Sequence, residues 1–310
     1  MLLWILNSLL GAAVLGFAIY WFAPGAAFKT FVGISRRAAG LRLKQLRVGG
    51  HEIPYLEGGS GPTLLLLHGF GGNKDHWTVI AQFLTKYFHV VAPDVPGFGD
   101  STRDPQSTYG LAEQLNRLND FCTAAGLDKF VIGGNSMGGY LAATYAKEHR
   151  EKVDGLWLLA PAGVMTAEPS EVLKMVEAGE NPLLVEAMEE FDRLTRLCFS
   201  KAPYMPQRFK LPLLKRMKDE AAFSQKIFDE LFTELEQDKG LEQVINGLDV
   251  PTLVMWGEED RVLDASGLER LRAILPQGRF QLIPAMGHCP MIERPSECAA
   301  DWFRYRGIVG

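Results

Sequence analysis

Hydrophobic and polar positions follow two patterns after residue 40, and each pattern predicts a different kind of β-strand. Residues 41–48 and 51–56 alternate between apolar and polar, as strands with one face in water do. Six later runs are short and continuously apolar, which is typical of strands that are buried on both faces. These runs are Leu64–Leu67, Val90–Ala92, Phe130–Ile132, Leu156–Leu159, Leu253–Trp256 and Phe280–Ile283.

Stretches with helical periodicity separate the buried runs. Strands that alternate with helices in this way form mostly parallel sheets with right-handed crossovers. The chain is therefore predicted to be an α/β protein with a mostly parallel eight-stranded sheet, whose core comprises residues 41–165 and 248–310.

The alternation stops over residues 166–247, where helical patterns alone occur. An apolar stripe with helical spacing includes Val185, Met188 and Phe191. We therefore predict a helical insert between two strands of the sheet. Its apolar stripes either pack on the body as ordinary structure or form a lid over a ligand, and the pattern leaves both interpretations open.

The N-terminal segment is apolar, because the first charged side chain is Lys29 and only Asn7 and Ser8 are polar before residue 23. A helix of about 20 apolar residues spans a bilayer. A cleavable signal peptide would have a basic start and a shorter apolar core. We therefore predict a retained transmembrane anchor over residues 1–23, followed by a basic juxtamembrane segment over residues 24–40.

The basic side chains after the anchor and the small residues within it indicate what the anchor contacts. The basic side chains that follow it suit anionic headgroups, and the positive-inside rule favours a cytoplasmic domain, although that rule is weaker for large domains. Ser8, Ala12 and Gly16 are four residues apart, which is the small-residue spacing that packs two membrane helices together and also arises by chance. A homodimer through the anchor helix is therefore one expectation.

Composition excludes several classes of protein. The chain has 310 residues, 47% of them hydrophobic, so it is not a disordered chain. Its 32 basic and 37 acidic residues give a net charge of -5, which argues against a nucleic-acid partner. The four cysteines contain no CxxC pair, so neither a disulfide framework nor a structural zinc site is expected.

The pentapeptide Gly134-Asn-Ser-Met-Gly138 lies between a predicted buried strand and a predicted helix. This is the G-x-S-x-G pattern of a nucleophile elbow, in which a strained turn lifts the serine hydroxyl above the sheet. A glycine-rich turn with a capping serine is the alternative interpretation. In this strand-to-helix context the pattern predicts that Ser136 is a catalytic nucleophile.

A serine nucleophile needs a base, and the base needs an acid that orients it. Asp260 and His288 both follow predicted strands, on the side where Ser136 emerges, and the order Ser, acid, His is the one that such elbows use. We favour these two as acid and base. The competing acids are Glu258, Glu259 and Asp264, and the competing histidines are His51, His76, His89 and His149.

A developing oxyanion needs two backbone donors. The N–H of Met137, directly after the nucleophile, is one candidate. The other is the N–H of Phe70, in the loop His68-Gly-Phe-Gly-Gly72 that follows a predicted strand. The alternative for that loop is a plain glycine turn.

Five motifs together resemble the α/β-hydrolase fold, over roughly residues 45–307. They are His68-Gly-Phe-Gly-Gly72, Asp94-Val-Pro-Gly-Phe-Gly-Asp-Ser101, Gly134-Asn-Ser-Met-Gly138, Trp256-Gly-Glu-Glu-Asp260 and Gly287-His288. The chain is most similar to membrane-anchored monoacylglycerol lipases and to bacterial membrane-anchored lipases and phospholipases A. The resemblance implies Ser136, Asp260 and His288 as the triad, no metal or cofactor, and a bracing rather than catalytic role for Asp94.

Other branches of the same fold are alternatives. Carbon–carbon bond (meta-cleavage) hydrolases often share the elbow, but they usually carry a tryptophan directly after the histidine, where this chain has Cys289. Thioesterases share the triad and stay open. A catalytically inactive membrane-bound scaffold is the alternative from another class, and the intact elbow, acid and histidine argue against it.

The anchor favours a lipid substrate, because an enzyme for a soluble ester gains nothing from a bilayer. We therefore expect a carboxylic-ester hydrolase that cleaves fatty-acyl esters of glycerolipids or lysophospholipids and releases a fatty acid. The resemblance indicates the bacterial cytoplasmic (inner) membrane. It favours a periplasmic domain, whereas the basic flank favours a cytoplasmic one, so the side stays open.

Overall fold

The structure is a computed structural model that describes residues 16–237 and 240–308. Its sheet contains all eight predicted strands. They are β1 (Leu41–Val48), β2 (His51–Gly58), β3 (Thr63–Leu67), β4 (His89–Pro93), β5 (Phe130–Ser136), β6 (Val153–Pro161), β7 (Thr252–Gly257) and β8 (Arg279–Ile283). The α/β architecture with a mostly parallel sheet is therefore confirmed.

The spatial order of the strands is β1-β2-β4-β3-β5-β6-β7-β8. Strand β2 pairs antiparallel with β1 and with β4, and all other neighbours pair in parallel. Strand β5 therefore lies in the middle of the sheet, between β3 and β6. The carboxyl ends of the parallel strands share one edge, which is where ligands bind in open α/β sheets.

Helices cover both faces of the sheet. They are α1 (Pro24–Ala38), α2 (Thr78–Leu84), α3 (Leu111–Ala124), α4 (Met137–Glu148), α9 (Ser266–Ile274), α10 (Pro290–Glu293) and α11 (Pro295–Tyr305), with short 3₁₀ helices at Lys74–Trp77 and Arg150–Lys152. Side chains of α3, α4 and α9 share one buried cluster, and those of α2 and α11 share another. Trp157 of β6 stacks on Trp302 of α11, with ring centroids 4.7 Å apart.

Between β6 and β7 the described residues form helices and loops, which we call the helical insert (residues 166–247). Its helices are α5 (Glu171–Glu177), α6 (Met188–Cys198), α7 (Gln207–Gln237) and α8 (Leu241–Ile245). The 31-residue helix α7 crosses the body, where Glu230 accepts from the N–H of Tyr109 at 2.5 Å and Glu234 from the N–H of Leu111 at 2.5 Å.

The N-terminal part of the described chain packs on the start of α7. Residues 16–22 are helical and lead into α1. The ring of Phe209 contacts the rings of Tyr20, Phe28 and Phe31, with centroids 5.5–5.6 Å apart. Arg36 of α1 makes a two-pronged ion pair with Asp75, and both N–O distances are 2.6 Å.

Most of the predicted anchor, and with it Ser8 and Ala12 of the predicted dimer stripe, lies at residues 1–15, outside the described residues. Within residues 16–237 and 240–308, no helix combines the length and the apolar character that crossing a membrane requires. Of the predicted anchor, the structure therefore describes only residues 16–23.

Candidate active site

Ser136 lies at the turn between β5 and α4, where the elbow pattern placed it. Its φ of 56° and ψ of -123° lie outside the regions that non-glycine residues usually adopt. The turn is held by the neighbouring strand, since the N–H of Ala162 donates to the carbonyl oxygen of Ser136 at 3.0 Å. The serine side chain is half-buried.

The two glycines of the elbow are required by close backbone contacts. A Cβ atom on Gly134 would collide with the backbone of Gly138 and would lie 2.7 Å from the nitrogen of Gly139. A Cβ atom on Gly138 would in turn collide with the carbonyl oxygens of Leu67 and His68. Strand β5, helix α4 and the loop after β3 therefore meet at the serine.

His288 and Asp260 form a buried pair. Nδ1 of His288 lies 2.7 Å from Oδ2 of Asp260, and the two residues are 4% and 7% exposed. Oδ1 of Asp260 accepts from the N–H groups of Val262 at 2.8 Å and Leu263 at 3.0 Å. Both oxygens of the carboxylate are therefore hydrogen-bonded, one to His288 and the other to two backbone N–H groups, which fixes the orientation of the carboxylate.

The environment of His288 raises its pKa above the ordinary value. Burial alone would lower the pKa of this imidazole. The negative charge of Asp260 and the hydrogen bond to it outweigh burial, because both stabilise the protonated ring.

The three competing acids are placed differently. Oε2 of Glu259 accepts from the hydroxyl of Ser200 at 2.5 Å, and Oδ1 of Asp264 accepts from the N–H of Ser266 at 2.9 Å. Glu258 is exposed. Of the four acids that the sequence offered, Asp260 is the one whose carboxylate contacts His288.

The competing histidines lie in other surroundings. His51 of β2 faces Tyr109, and His89 of β4 contacts Glu57 at 2.9 Å. His76 lies within the 3₁₀ helix Lys74–Trp77, and His149 packs at a tilt against Tyr145 after the end of α4. Within the described residues, no three His, Cys, Asp or Glu side chains are grouped as metal ligands.

The two candidate oxyanion donors belong to segments that meet at the serine. Met137 is the first residue of α4, and the first N–H groups of a helix have no acceptor within it. Phe70 follows Gly69, where an added Cβ would lie 3.1 Å from the Cβ of Ser136. The ring of Phe70 packs edge-on against Phe98 and against Phe228 of α7, so the helical insert contacts this loop directly.

Three residues that sequence reasoning missed connect these parts. The side-chain amide of Asn135 donates to the carbonyl oxygen of His288 at 3.0 Å, and the carboxylate of Glu293 accepts from the N–H of Gly287 at 3.1 Å. Lys74 is fully buried, and its Nζ lies 2.7 Å from Asp94, which braces the loop as the resemblance implied. Asn135 is part of the elbow pattern, but no signal in the sequence pairs it with His288.

This arrangement can be compared with known proteins. A family model described as the alpha/beta hydrolase fold matches residues 62–295. The chain belongs to the alpha/beta hydrolase fold family. The predicted resemblance is thereby confirmed.

Relatives of this hydrolase include two lipases. Lipase 1 of Psychrobacter immobilis is 32% identical over 278 residues, which cover 88% of this chain and 87% of that protein. Monoacylglycerol lipase abhd6-B of Xenopus laevis is 32% identical over 293 residues, which cover 89% of this chain and 85% of that protein.

A solved structure is similar over nearly the whole length. The crystal structure of a membrane phospholipase A, a bacterial virulence factor, matches with a TM-score of 0.89 and 39% identity, and the match covers 99% of each chain. The fold and these relatives together make this hydrolase an ester-hydrolysing serine hydrolase.

Proposed function

We propose that the protein is a membrane-anchored lipolytic hydrolase that cleaves fatty-acyl esters of glycerolipids through an acyl-enzyme on Ser136. The observation that carries this proposal is the buried pair of His288 and Asp260, 2.7 Å apart, whose histidine is hydrogen-bonded to Asn135, the residue before a serine held at a φ of 56°. The names of the relatives, lipases and a membrane phospholipase A, support a lipid ester as the substrate.

In the proposed acylation step, the hydroxyl oxygen of Ser136 attacks the ester carbonyl carbon while Nε2 of His288 takes the hydroxyl proton. The π electrons of the C=O bond move to the carbonyl oxygen, and the N–H groups of Met137 and Phe70 stabilise the resulting oxyanion. The tetrahedral intermediate then collapses. The bond to the glycerol oxygen breaks, and that oxygen leaves as an alcohol with the proton from His288.

In the proposed deacylation step, water attacks the acyl-serine carbonyl and gives its proton to His288. The bond to Ser136 breaks, the serine recovers its proton from His288, and the fatty acid leaves. Asp260 keeps Nδ1 protonated and Nε2 free to act as base in both steps. Two backbone N–H groups bind its other oxygen and hold the carboxylate in place against the imidazole.

The N-terminal region supports the membrane part of the proposal. Phe17, Trp21 and Phe22 are exposed at the point where the described chain meets the apolar residues 1–15. Exposed aromatic side chains are favoured at the bilayer surface. Arg37, in the last turn of α1, is exposed, as expected for a juxtamembrane segment beside anionic lipid.

We also propose that the helical insert is a lid. Its helix α7 contacts the candidate oxyanion loop through Phe228 and Phe70, whose ring centroids are 5.7 Å apart. Met165, Met205 and Leu211, in or next to the insert, are exposed apolar side chains. Such side chains suit a surface that meets an acyl chain.

A substrate panel tests the lipid proposal. The full-length protein is assayed beside Ser136→Ala with water-soluble short-chain esters, long-chain monoacylglycerol, phospholipid vesicles, acyl thioesters and a meta-cleavage substrate. We expect Ser136-dependent release of fatty acid from the long-chain lipids. Turnover of soluble esters alone would contradict the lipid part, turnover of thioesters or of carbon–carbon substrates alone would favour those branches, and no turnover with any substrate would favour an inactive scaffold.

Membrane extraction tests the anchor. Carbonate washing without detergent should leave the full-length chain with the membranes, whereas a chain that starts at residue 24 should be released from them. Release of the full-length chain would contradict a spanning anchor. Protease accessibility in spheroplasts then decides the side: cleavage from outside indicates a periplasmic domain, and protection indicates a cytoplasmic one.

A further inference from the structure

Glu293 lies outside the proposed triad, but its carboxylate is bound to the loop that carries His288. It is the last residue of α10 and follows the histidine by five positions. Its Oε2 accepts from the N–H of Gly287 at 3.1 Å and from the N–H of Ser200 at 3.2 Å. Its Oε1 accepts from the N–H of Lys201 at 2.8 Å. One carboxylate therefore contacts both the histidine loop and the segment that leaves α6.

That exit segment is also in direct contact with the histidine. The backbone N–H of His288 donates to the carbonyl oxygen of Cys198, the last residue of α6, at 2.8 Å. Gly287 leaves no space between the two segments, since an added Cβ would lie 2.6 Å from the same carbonyl oxygen and 2.7 Å from the Cα of Phe199. The position of His288 thus depends on where residues 198–201 lie.

The charge of Glu293 suits this task. Hydrogen bonds from N–H groups to an ionised carboxylate are stronger than those between neutral groups. Because three N–H groups converge on this carboxylate, its removal would leave all three without that acceptor. The exit segment would lose two hydrogen bonds to α10, and the histidine loop would lose one.

We propose that Glu293 is a positioning residue for His288, which holds the exit of α6 against the histidine loop and so fixes the imidazole for proton transfer to and from Ser136. This inference rests on the proposed roles of Ser136 and His288. It assigns no contact between Glu293 and the substrate. A displacement of about 1 Å at a catalytic group can lower the rate about a hundredfold.

The test compares Glu293→Gln and Glu293→Asp with the full-length wild type. Glu293→Gln keeps the shape and loses the charge, and Glu293→Asp keeps the charge on a shorter side chain. The readouts are kcat and KM for a water-soluble short-chain ester and the rate constant for labelling by a fluorophosphonate. Each is expressed per active site, counted by exhaustive labelling, so that loss of folded protein does not enter.

We expect kcat and the labelling rate constant to fall about tenfold to a hundredfold in Glu293→Gln, while KM changes less than twofold. Glu293→Asp should show a smaller loss of kcat than Glu293→Gln. The matched control is Glu269→Gln, which removes an exposed acid on α9 that pairs with Arg272 at 3.1 Å. It should stay within twofold of the wild type.

A kcat per active site within twofold of the wild type in Glu293→Gln would overturn the inference, because a purely structural carboxylate would change only the number of folded molecules. If Glu293→Gln does not fold, Glu293→Asp decides by the same criterion. The variant Ser136→Ala distinguishes a failure of this inference from a failure of the proposed function. Labelling of Ser136→Ala at the wild-type rate would overturn the proposed function, whereas its loss together with unchanged Glu293→Gln would overturn the positioning role alone.

Discussion

The side-chain nitrogen of Asn135 lies 3.0 Å from the carbonyl oxygen of His288 and 3.0 Å from that of Leu159. One amide group therefore joins the residue before the proposed nucleophile to the proposed base and to strand β6. Together with the bond from the histidine N–H to Cys198, this pairs both backbone polar groups of His288. The base is held from two sides.

Replacement of Asn135 by Ala should destabilise the protein and slow it. The residue is 2% exposed, so two buried carbonyl oxygens would lose a donor. We expect the free energy of unfolding in urea to fall by about 1–3 kcal/mol, and kcat for a soluble ester to fall as the histidine loop shifts. Asn246→Ala, at an exposed position after α8, should change the free energy by less than about 0.5 kcal/mol. If Asn135→Ala and Asn246→Ala have the same free energy of unfolding and the same kcat, Asn135 does not have this bridging role.

Asp260→Asn should remove most of the activity without unfolding the protein. An amide at this position favours the wrong imidazole tautomer, and kcat should fall about 10⁴-fold, as in other triads. Steady-state kinetics with a soluble ester measure this. The matched variant is Asp264→Asn, whose carboxylate accepts from the N–H of Ser266. A larger loss in Asp264→Asn than in Asp260→Asn would show that the acid has been assigned wrongly.

The pH dependence of kcat/KM should reflect the raised pKa of His288. The base must be neutral to accept a proton, and the charge of Asp260 keeps His288 protonated to higher pH than an ordinary histidine. The acidic limb of kcat/KM for a soluble ester should therefore have its midpoint above about 6.5. In Asp260→Asn the limb should move to lower pH, because the charge of Asp260 no longer offsets burial, which lowers the pKa of His288. A midpoint below that of free histidine in the wild type would contradict this assignment.

Arg216 should attach the helical insert to the body. Its guanidinium donates to Oδ1 of Asp100 at 3.0 Å and to the carbonyl oxygen of Gly99. We expect Arg216→Gln to weaken this attachment by about 0.5–1 kcal/mol, since the side chain is one-third exposed. The measurement is amide hydrogen exchange in α7, which should be faster in Arg216→Gln than in the wild type.

The neighbouring residue supplies the control for that experiment. Lys215 pairs with Asp219 at 2.5 Å on the exposed face of the same helix. Lys215→Gln should leave exchange in α7 unchanged. If amide exchange in α7 is as slow in Arg216→Gln as in the wild type, Arg216 does not hold the insert.

The fold was predictable because its signals are local. A strand buried on both faces must be apolar at every position, so runs such as Leu64–Leu67 stand out from the helices around them. The elbow is equally local, since Gly134 and Gly138 are needed within a few residues of Ser136. The pairing of Asp260 with His288 was predictable as well, because both follow strand ends that share one edge of the sheet.

The supports of the site were not predictable, because their contacts join distant parts of the chain. Asn135 contacts a residue 153 positions away, and Glu293 contacts Ser200 across 93 positions. Neither periodicity nor spacing indicates such partners. Lys74 would ordinarily be expected in water, and its burial against Asp94 depends on how two loops meet.

Mass spectrometry of the labelled protein tests the central proposal most directly. The full-length protein is treated with a fluorophosphonate and digested, and the modified peptide is sequenced. We expect one phosphonyl group per chain on Ser136, none in Ser136→Ala, and protection from labelling by long-chain monoacylglycerol. A label on another residue, or labelling that persists in Ser136→Ala, would contradict the proposal that Ser136 is the nucleophile.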